Sequence, residues 1–223
     1  MIKAESTPLY SWRRRPAITP INPSKGKPEM ADIESICVFC GSSLGHDKRY
    51  RENAATLGRL IAEAGVELVY GGGNIGLMGV TADAVITAGG RVTGVIPEGL
   101  KRAELAHQGL HELLIVDSMH ARKRAMFERA DAFVALPGGP GTLDETIEII
   151  TWRQLGLHGK PVVIVDDGGY WQPLTALFEH TITQGFARDG FRRLFMVVKE
   201  VEDVLPALAR HGPPDIGARP EAL

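Results

Sequence analysis

The chain reads Pro137-Gly138-Gly139-Pro140-Gly141-Thr142-Leu143-Asp144-Glu145 between an apolar run at residues 132–136 and a segment with helical periodicity. This placement predicts a turn from a strand into a helix. Three glycines within four residues let the backbone approach a ligand closely, and the helix behind them directs free N–H groups at it, which favours an anion. A carboxylate at Glu145 would repel a phosphate there unless it faced another part of the same ligand. The stretch therefore predicts a phosphorylated substrate whose reacting bond lies beyond its phosphate.

Outward from this turn, short apolar runs alternate with longer amphipathic stretches, a pattern typical of repeated strand–helix units. The predicted strands are residues 36–40, 67–70, 92–96, 113–116, 132–136, 161–165 and 195–198. The predicted helices lie near residues 50–64, 77–88, 118–129, 142–155, 171–184 and 201–210. Because the strands are apolar on both faces, they belong in a parallel sheet covered by helices on each side. The sequence therefore predicts an α/β fold: a doubly wound, mostly parallel, Rossmann-like sheet of about seven strands in a single domain.

The length and the ends of the chain indicate its domain organisation. At 223 residues it is long enough for one sizeable α/β domain and short for two. Residues 1–29 carry six basic and two acidic side chains, five prolines and no apolar periodicity, which predicts a disordered or loosely draped arm. We place this basic arm at residues 1–30, the Rossmann-like domain at 31–212 and an irregular tail at 213–223.

Charge and composition narrow the range of partners. A formal net charge of -2 argues against a nucleic-acid partner, and no apolar run approaches the roughly 18 residues that cross a bilayer. We expect a cytoplasmic protein. The two cysteines, Cys37 and Cys40, lie in a predicted strand, where positions three apart point to opposite faces, which favours core residues over a redox or zinc site. The histidines show no metal-ligand spacing, so no metal is predicted.

Two further loops follow predicted strands. Gly41-Ser42-Ser43 offers hydroxyl and N–H groups before a helix, although many such turns look alike. The segment Gly71-Gly72-Gly73-Asn74-Ile75-Gly76-Leu77-Met78-Gly79 contains G-x-G-x-x-G, the spacing of a dinucleotide loop, and Glu98 could bind the ribose. It follows the second strand rather than the first, however, and a mononucleotide or sugar phosphate on Gly72 and Gly73 fits as well. Turn glycines without a ligand are the third interpretation.

A basic segment, Ser118-Met119-His120-Ala121-Arg122-Lys123-Arg124, opens the helix after the fourth strand. Arg122 and Lys123 fall in its first two turns, where cations oppose the helix dipole by roughly a few tenths of a kcal/mol or more. An anionic ligand or a carboxylate partner would explain both residues. A solvated basic face is the alternative.

Taken together, these motifs resemble those of the LONELY GUY (LOG) family, the cytokinin riboside 5′-monophosphate phosphoribohydrolases. The similarity rests on Tyr70-Gly71-Gly72-Gly73, Gly94-Val95-Ile96-Pro97, Ser118-Met119-His120-x-Arg122-Lys123, Pro137-Gly138-Gly139-x-Gly141-Thr142-x-x-Glu145 and Thr151-Trp152-x-Gln154. It extends over roughly residues 36–210. Members are often labelled lysine decarboxylases, but no lysine here has the context of a Schiff-base lysine with a partner for a pyridinium nitrogen.

The resemblance implies a reaction and an assembly. The reaction is hydrolysis of the N-glycosidic bond of an adenine-type (cytokinin or AMP) nucleoside 5′-monophosphate to free base and ribose 5-phosphate, without a cofactor. The assembly is a homodimer. The apolar residues Met119, Met126 and Phe127, on the helix beside the site, could supply its face or belong to the core.

The resemblance also implies roles for individual residues. The family's catalytic arginine and glutamate fall on Arg122 and Glu145. Its nucleotide contacts fall on Glu104, Arg122, Lys123, Gly138, Gly139, Pro140, Gly141, Thr142, Leu143, Asp144 and Thr151. The earlier loops add Gly41, Ser42, Ser43, Gly72 and Gly73 as candidate substrate contacts. Pro140 stands at a variable position of the motif and removes only its own N–H.

These assignments lead to a mechanistic hypothesis with two competitors. The turn at 137–142 would hold the 5′-phosphate, and Glu145 would stabilise an oxocarbenium ion on the ribose and position or deprotonate a water. Arg122 would orient Glu145 or offset charge. The first competitor is a nucleotide or cofactor carrier without turnover, such as the molybdenum-cofactor carriers that resemble this superfamily, but a carrier has little use for Arg122 together with Glu145. The second is an NAD-dependent oxidoreductase, which would need a nicotinamide pocket.

Overall fold

The computed structural model describes residues 33–100 and 106–210, which form a seven-stranded parallel sheet with helices on both faces. The strands are β1 (Ser35–Phe39), β2 (Glu67–Tyr70), β3 (Val92–Pro97), β4 (Glu112–Val116), β5 (Ala132–Ala135), β6 (Val162–Val165) and β7 (Met196–Val198). Their order is β4-β3-β2-β1-β5-β6-β7, and every neighbouring pair is parallel. The predicted doubly wound α/β sheet is confirmed, and each predicted strand is present with bounds that differ by one residue at most.

Helices connect the strands. They are α1 (Lys48–Glu63), α2 (Gly76–Thr87), α3 (Glu98–Leu100), α4 (Met119–Arg129), α5 (Pro140–Gln154), α6 (Gln172–Thr183) and α7 (Val204–Arg210). The short α3 and the 3-10 helices at Asp167–Gly169 and Asp189–Arg193 have too few residues to show helical periodicity, and the sequence does not predict them. A third 3-10 helix, Val201–Asp203, replaces the first turn of the helix predicted at 201–210. Within the described ranges, no helix combines the length and apolar character required to span a membrane.

An apolar core lies on each side of the sheet. Ile36, Val38 and Cys40 contribute to the core beneath α1, α2 and α7. Cys37 and Phe39 contribute to the core beneath α4, α5 and α6. Both cysteines are buried free thiols, so the prediction that they are core residues on opposite faces is confirmed.

The winding of the sheet reverses between β1 and β5. The strands from β1 to β4 run outward to one edge, and the chain then returns so that β5 lies on the other side of β1. Doubly wound sheets bind ligands in the crevice that such a reversal opens at the carboxyl ends of the strands. The Gly41 N–H donates to the Pro137 carbonyl at 3.0 Å, so the turns after β1 and β5 are tied together at this point.

The ends of the chain lie outside the described residues. This applies to the basic arm at 1–30 and to the irregular tail at 213–223. The division into arm, domain and tail therefore stays a prediction.

Candidate active site

A pocket of about 350 Å³ opens at the carboxyl ends of the central strands, where the turns after β1, β2 and β5 meet. Eight predicted site residues line it: Ser42, Gly73, Arg122, Gly139, Pro140, Gly141, Thr142 and Glu145. The other lining residues are Val38, Cys40, Gly71, Ile75, Met78, Ile96 and Leu100. Its volume lies within the range of roughly 300–1,000 Å³ that is usual for small-molecule sites.

Arg122 reaches this pocket from the first turn of α4. Ser118 caps the helix by accepting a hydrogen bond from the Ala121 N–H. Arg122 is 9% exposed, and its Nε donates to the Val95 carbonyl at 3.1 Å. Its Nη1 donates to Oε1 of Glu145 at 2.9 Å. The guanidinium group is therefore fixed between β3 and α5.

Gly71 leaves the space that the guanidinium group occupies. A Cβ atom on Gly71 would lie 2.0 Å from Nη2 of Arg122 and 3.1 Å from its Cζ. Every residue except glycine carries a Cβ, so this position of Arg122 requires glycine at residue 71.

Glu145 faces Arg122 from the second turn of α5 and is 8% exposed. Burial raises the pKa of this carboxyl group, and the Arg122 guanidinium opposes the rise because it stabilises the carboxylate. Oε1 accepts the hydrogen bond from Arg122, whereas Oε2 accepts none from the described residues. The second carboxylate oxygen is therefore available to a ligand in the pocket.

The turn into α5 presents an uncapped helix N-terminus. Gly139 is the N-cap residue, Pro140 occupies the first helical position, and no side chain caps the helix. A Cβ on Gly138 would lie 2.1 Å from Oγ1 of Thr142, so glycine lets the turn close against the helix. Cβ atoms on Gly139 and Gly141 would have no atom of the described residues within 4 Å. The N–H groups of a first helical turn lack intrahelical acceptors and attract anions, so the geometry is compatible with an anion site, and anion binding at this turn stays a prediction.

Lys123 points to two other carboxylates. Its Nζ lies 3.1 Å from Oδ2 of Asp144 and 3.1 Å from Oε1 of Glu148. Burial lowers the pKa of Lys123, but the hydrogen bonds to Glu148 and Asp144 outweigh it, so the pKa is raised. Both cations near the start of α4, Arg122 and Lys123, therefore have carboxylate partners on α5, and these contacts tie the two helices together.

Packing accounts for some glycines of the segment after β2. Gly76 has φ 63°, and a Cβ there would lie 2.2 Å from the Ser42 carbonyl carbon. A Cβ on Gly79 would lie 2.2 Å from the Asn74 carbonyl oxygen. Close packing therefore explains the glycines at 76 and 79, and no ligand is needed to account for them. Gly73, in contrast, lines the pocket.

The other predicted contacts do not line the pocket. These are Gly41, Ser43, Gly72, Lys123, Gly138, Leu143, Asp144 and Thr151. Gly41 and Gly138 lie directly behind the lining turns, because a Cβ on Gly41 would come within 3.3 Å of the Gly138 Cα. Thr151 is exposed farther along α5, and its Oγ1 donates to the Ile147 carbonyl. Glu104 lies outside the described residues, so its assignment stays a prediction.

The apolar wall of the pocket is not predicted from the sequence. Val38, Cys40 and Ile96 reach it from the ends of β1 and β3, and Met78 reaches it from α2. In the sequence these residues look like ordinary core residues; their position at the carboxyl end of a strand is the signal that could have identified them. Burial raises the pKa of the Cys40 thiol to about 12, so this wall is uncharged.

The fold and the pocket define a Rossmann-like protein with an uncapped helix N-terminus beside a buried arginine–glutamate pair. The family model described as possible lysine decarboxylase matches residues 78–208. A cytokinin riboside 5′-monophosphate phosphoribohydrolase of Rhodococcoides fascians is 45% identical over 176 residues, 78% of this chain and 89% of that protein. The cytokinin riboside 5′-monophosphate phosphoribohydrolase LOG of Oryza sativa subsp. japonica is 41% identical over 178 residues, 80% of this chain and 74% of that protein. The chain belongs to this family, the LONELY GUY family that its motifs resemble.

Two solved structures share the fold. The molybdenum cofactor binding protein of Rippkaea orientalis superposes with a TM-score of 0.61 at 22% identity, over 83% of this chain and 97% of that one. The molybdenum cofactor carrier protein of Chlamydomonas reinhardtii superposes with a TM-score of 0.58 at 22% identity, over 78% and 94%. At this identity the likeness establishes the fold alone.

Proposed function

We propose that this protein hydrolyses the N-glycosidic bond of an adenine-type nucleoside 5′-monophosphate, a cytokinin riboside 5′-monophosphate or AMP, to free base and ribose 5-phosphate. The names of its relatives support the reaction class. The observation that carries the proposal is the ion pair between Arg122 and Glu145, with Nη1 and Oε1 2.9 Å apart, buried beside an uncapped helix N-terminus. Cleavage at a sugar carbon uses such a carboxylate, whereas storage of a ligand does not require one.

The 5′-phosphate would bind at the turn into α5. The N–H groups and the dipole of the helix attract its negative charge. Gly139 and Gly141 place no side chain in its way, and Thr142 lines the pocket beside them. Pro140 fixes the backbone of the first turn but supplies no N–H.

The reacting bond would then face Glu145. As the C1′–N9 bond breaks, its electron pair moves to the base and positive charge develops on the ribose. The Glu145 carboxylate would stabilise this charge through Oε2 and take a proton from a water whose oxygen bonds to C1′. The departing base takes up a proton, in net terms the one that Glu145 received from the water, so the carboxylate is restored and the products are the neutral base and ribose 5-phosphate. Water is the only co-reactant, and the proposal includes no cofactor.

Arg122 would keep Glu145 ionised and oriented. Burial alone raises the Glu145 pKa, and the guanidinium group counteracts that effect. Lys123 would support this arrangement from behind, because its contacts with Asp144 and Glu148 hold α4 against α5. In this proposal Lys123 acts through the helices rather than by contacting the nucleotide.

We also keep the cytoplasm as the compartment and the homodimer as the assembly in this proposal. Met119 is 45% exposed on α4, whereas Met126 and Phe127 pack into the core. Of the three residues considered for a dimer face, Met119 is therefore the most accessible. Light scattering at micromolar concentration tests the assembly, and a monomer would contradict it.

Base release tests the reaction. The protein is incubated with AMP, N6-isopentenyl-AMP, GMP and CMP, and free base and ribose 5-phosphate are separated by chromatography. We expect equimolar base and ribose 5-phosphate from the adenine-type nucleotides. Arg122→Ala should abolish most of the turnover, whereas Arg124→Ala, on the exposed side of the same helix and paired with Glu128, is the matched control.

The carrier hypothesis predicts a different result. A carrier would bind the nucleotide with measurable affinity and release no base at any time point. That outcome, with a folded protein, would overturn the proposed hydrolysis.

A further inference from the structure

Tyr170 contacts the phosphate-binding turn from outside the pocket. Its Oη donates a hydrogen bond to the Gly138 carbonyl oxygen at 2.7 Å. Tyr170 directly follows the 3-10 helix Asp167–Gly169 behind β6, so this bond joins the turn after β6 to the turn after β5. The tyrosine does not line the pocket.

The tyrosine is itself held in place. Asp166 is 2% exposed and accepts hydrogen bonds from the Trp171 N–H and from Nζ of Lys199, both at 2.6 Å. The Tyr170 ring packs edge-on against Tyr50 of α1, with ring centroids 5.6 Å apart. It packs in the same way against Trp171 at 4.9 Å. The hydroxyl group therefore has a defined position from which to hold the turn.

The peptide between Gly138 and Gly139 is the group that this hydrogen bond orients. All peptide bonds of the described residues are trans, and in a trans peptide the C=O and the N–H point in opposite directions. Fixing the Gly138 carbonyl toward Tyr170 thus directs the Gly139 N–H to the opposite side. Without that bond the peptide could rotate, because neither flanking glycine carries a Cβ. Gly139 lines the pocket as the N-cap of α5.

We infer that Tyr170 is a positioning residue for phosphate binding: by holding the Gly138 carbonyl, it keeps the Gly139 N–H directed at the 5′-phosphate of the substrate. This inference rests on the proposed function for the identity of the substrate. The binding of a sugar phosphate at the turn into α5 can be measured without any turnover of substrate. Because the phosphate contact is the same in the bound substrate and in the transition state, Tyr170 affects binding rather than the chemical step.

The test compares a phosphorylated ligand with one that lacks the phosphate. Calorimetry measures the affinities of the parent protein and of Tyr170→Phe for ribose 5-phosphate and for adenosine. The substitution removes one hydroxyl group, so ribose 5-phosphate should bind about three- to tenfold more weakly. Adenosine affinity should not change. With AMP as substrate, KM should rise by the same factor and kcat should stay within about twofold.

Tyr50→Phe is the matched control. It makes the same chemical change on the ring that packs against Tyr170, and Tyr50 does not line the pocket. Both ligands should bind to it as to the parent. Thermal unfolding of both variants should match the parent within a few degrees, since Tyr170 is 37% exposed and keeps its ring.

Three outcomes would overturn the inference. They are equal affinity of Tyr170→Phe and the parent for ribose 5-phosphate, an equal loss of affinity for ribose 5-phosphate and adenosine, and the absence of ribose 5-phosphate binding to the parent. A different outcome separates this inference from the proposed function. If the parent binds ribose 5-phosphate and Tyr170→Phe binds it more weakly, but AMP releases no base, then hydrolysis fails and the role of Tyr170 stands.

Discussion

Replacing Gly71 with alanine should displace Arg122 without unfolding the protein. The new Cβ would lie 2.0 Å from Nη2, whereas real Cβ atoms stay at least 3.0 Å from other heavy atoms, so the guanidinium group must retreat by about 1 Å. Gly71 does not have a positive φ, so alanine can adopt its backbone. The next contact, Sδ of Met78 at 3.2 Å, involves a flexible side chain. We therefore expect a loss of about 1–2 kcal/mol in the free energy of unfolding.

The same shift should strongly reduce turnover. Nη1 of Arg122 lies 2.9 Å from Oε1 of Glu145, and its Nε lies 3.1 Å from the Val95 carbonyl. A displacement of about 1 Å should lengthen or misalign both hydrogen bonds, which are already near their usual lengths. A misplacement of this size typically lowers a rate by roughly 100-fold, about 2.7 kcal/mol in the activation free energy. Loss of the guanidinium also raises the Glu145 pKa further, so the acidic limb of the pH–rate profile should move to higher pH.

Single-turnover base release from AMP, measured from pH 5 to pH 8 beside thermal unfolding, checks both effects. Gly99→Ala is the control, because a Cβ there meets no atom of the described residues within 4 Å and Gly99 does not line the pocket. A folded Gly71→Ala protein that releases base at the parent rate would refute the reasoning that Arg122 must occupy its observed position.

Three further predictions concern charge, space and protonation. Glu145→Gln keeps the shape of the side chain but removes its charge, so single-turnover base release should fall by about two orders of magnitude while the AMP affinity measured by calorimetry stays nearly the same. Base release at the parent rate would contradict the mechanism. Gly141→Val adds a side chain whose Cβ meets no atom of the described residues within 4 Å, so AMP should bind more weakly at unchanged thermal stability. Unchanged AMP affinity would argue against phosphate at this turn. Burial lowers the pKa of His158 to about 4, and its Nδ1 accepts a hydrogen bond from the Lys160 N–H. The imidazole therefore stays neutral in the folded protein, whereas in the unfolded chain it takes up a proton as the pH falls below its ordinary pKa of 6.5. Stability should therefore fall by about 1 kcal/mol between pH 7 and pH 5, after allowance for the partial exposure of the ring, and the loss should be complete below pH 4. Urea unfolding should show this loss of stability in the parent and in the exposed control His46→Gln, and a much smaller loss in His158→Gln. A loss in His158→Gln as large as in the parent would mean that another group causes it.

Most of the sheet could be predicted because strands buried on both faces are continuous apolar runs. Val162–Val165 is such a run, and all of its residues are buried. The ends of helices are less predictable because local and tertiary contacts decide them. Asp47 caps α1 and starts it at Lys48, before the apolar periodicity begins. Helical periodicity alone predicts that an α-helix begins at Val201. In the structure Val201 packs into the core, and residues 201–203 form a 3-10 turn instead.

The candidate site could be predicted as a set of loops but not as a set of contacts. Arg122 and Glu145 are 23 positions apart, and only the sheet order brings α4 and α5 together. Lys123 belongs to the same motif as Arg122, yet successive helical residues point about 100° apart, so it reaches other carboxylates. Tyr170 follows two acidic residues and two glycines, a composition that predicts an exposed turn and gives no sign of its bond to Gly138.

The turn at 137–142 is anchored by the protein itself. The Gly41 N–H holds the Pro137 carbonyl, Tyr170 holds the Gly138 carbonyl, and Pro140 has a restricted φ. Ordering one residue of backbone costs about 1–2 kcal/mol in conformational entropy, and here that loss occurs during folding. Ligand binding should therefore carry little entropy penalty from the turn, and association should not wait for a loop rearrangement. The same rigidity should prevent the turn from widening around a bulkier anion, so the proposed phosphate site should select among phosphate esters by their size.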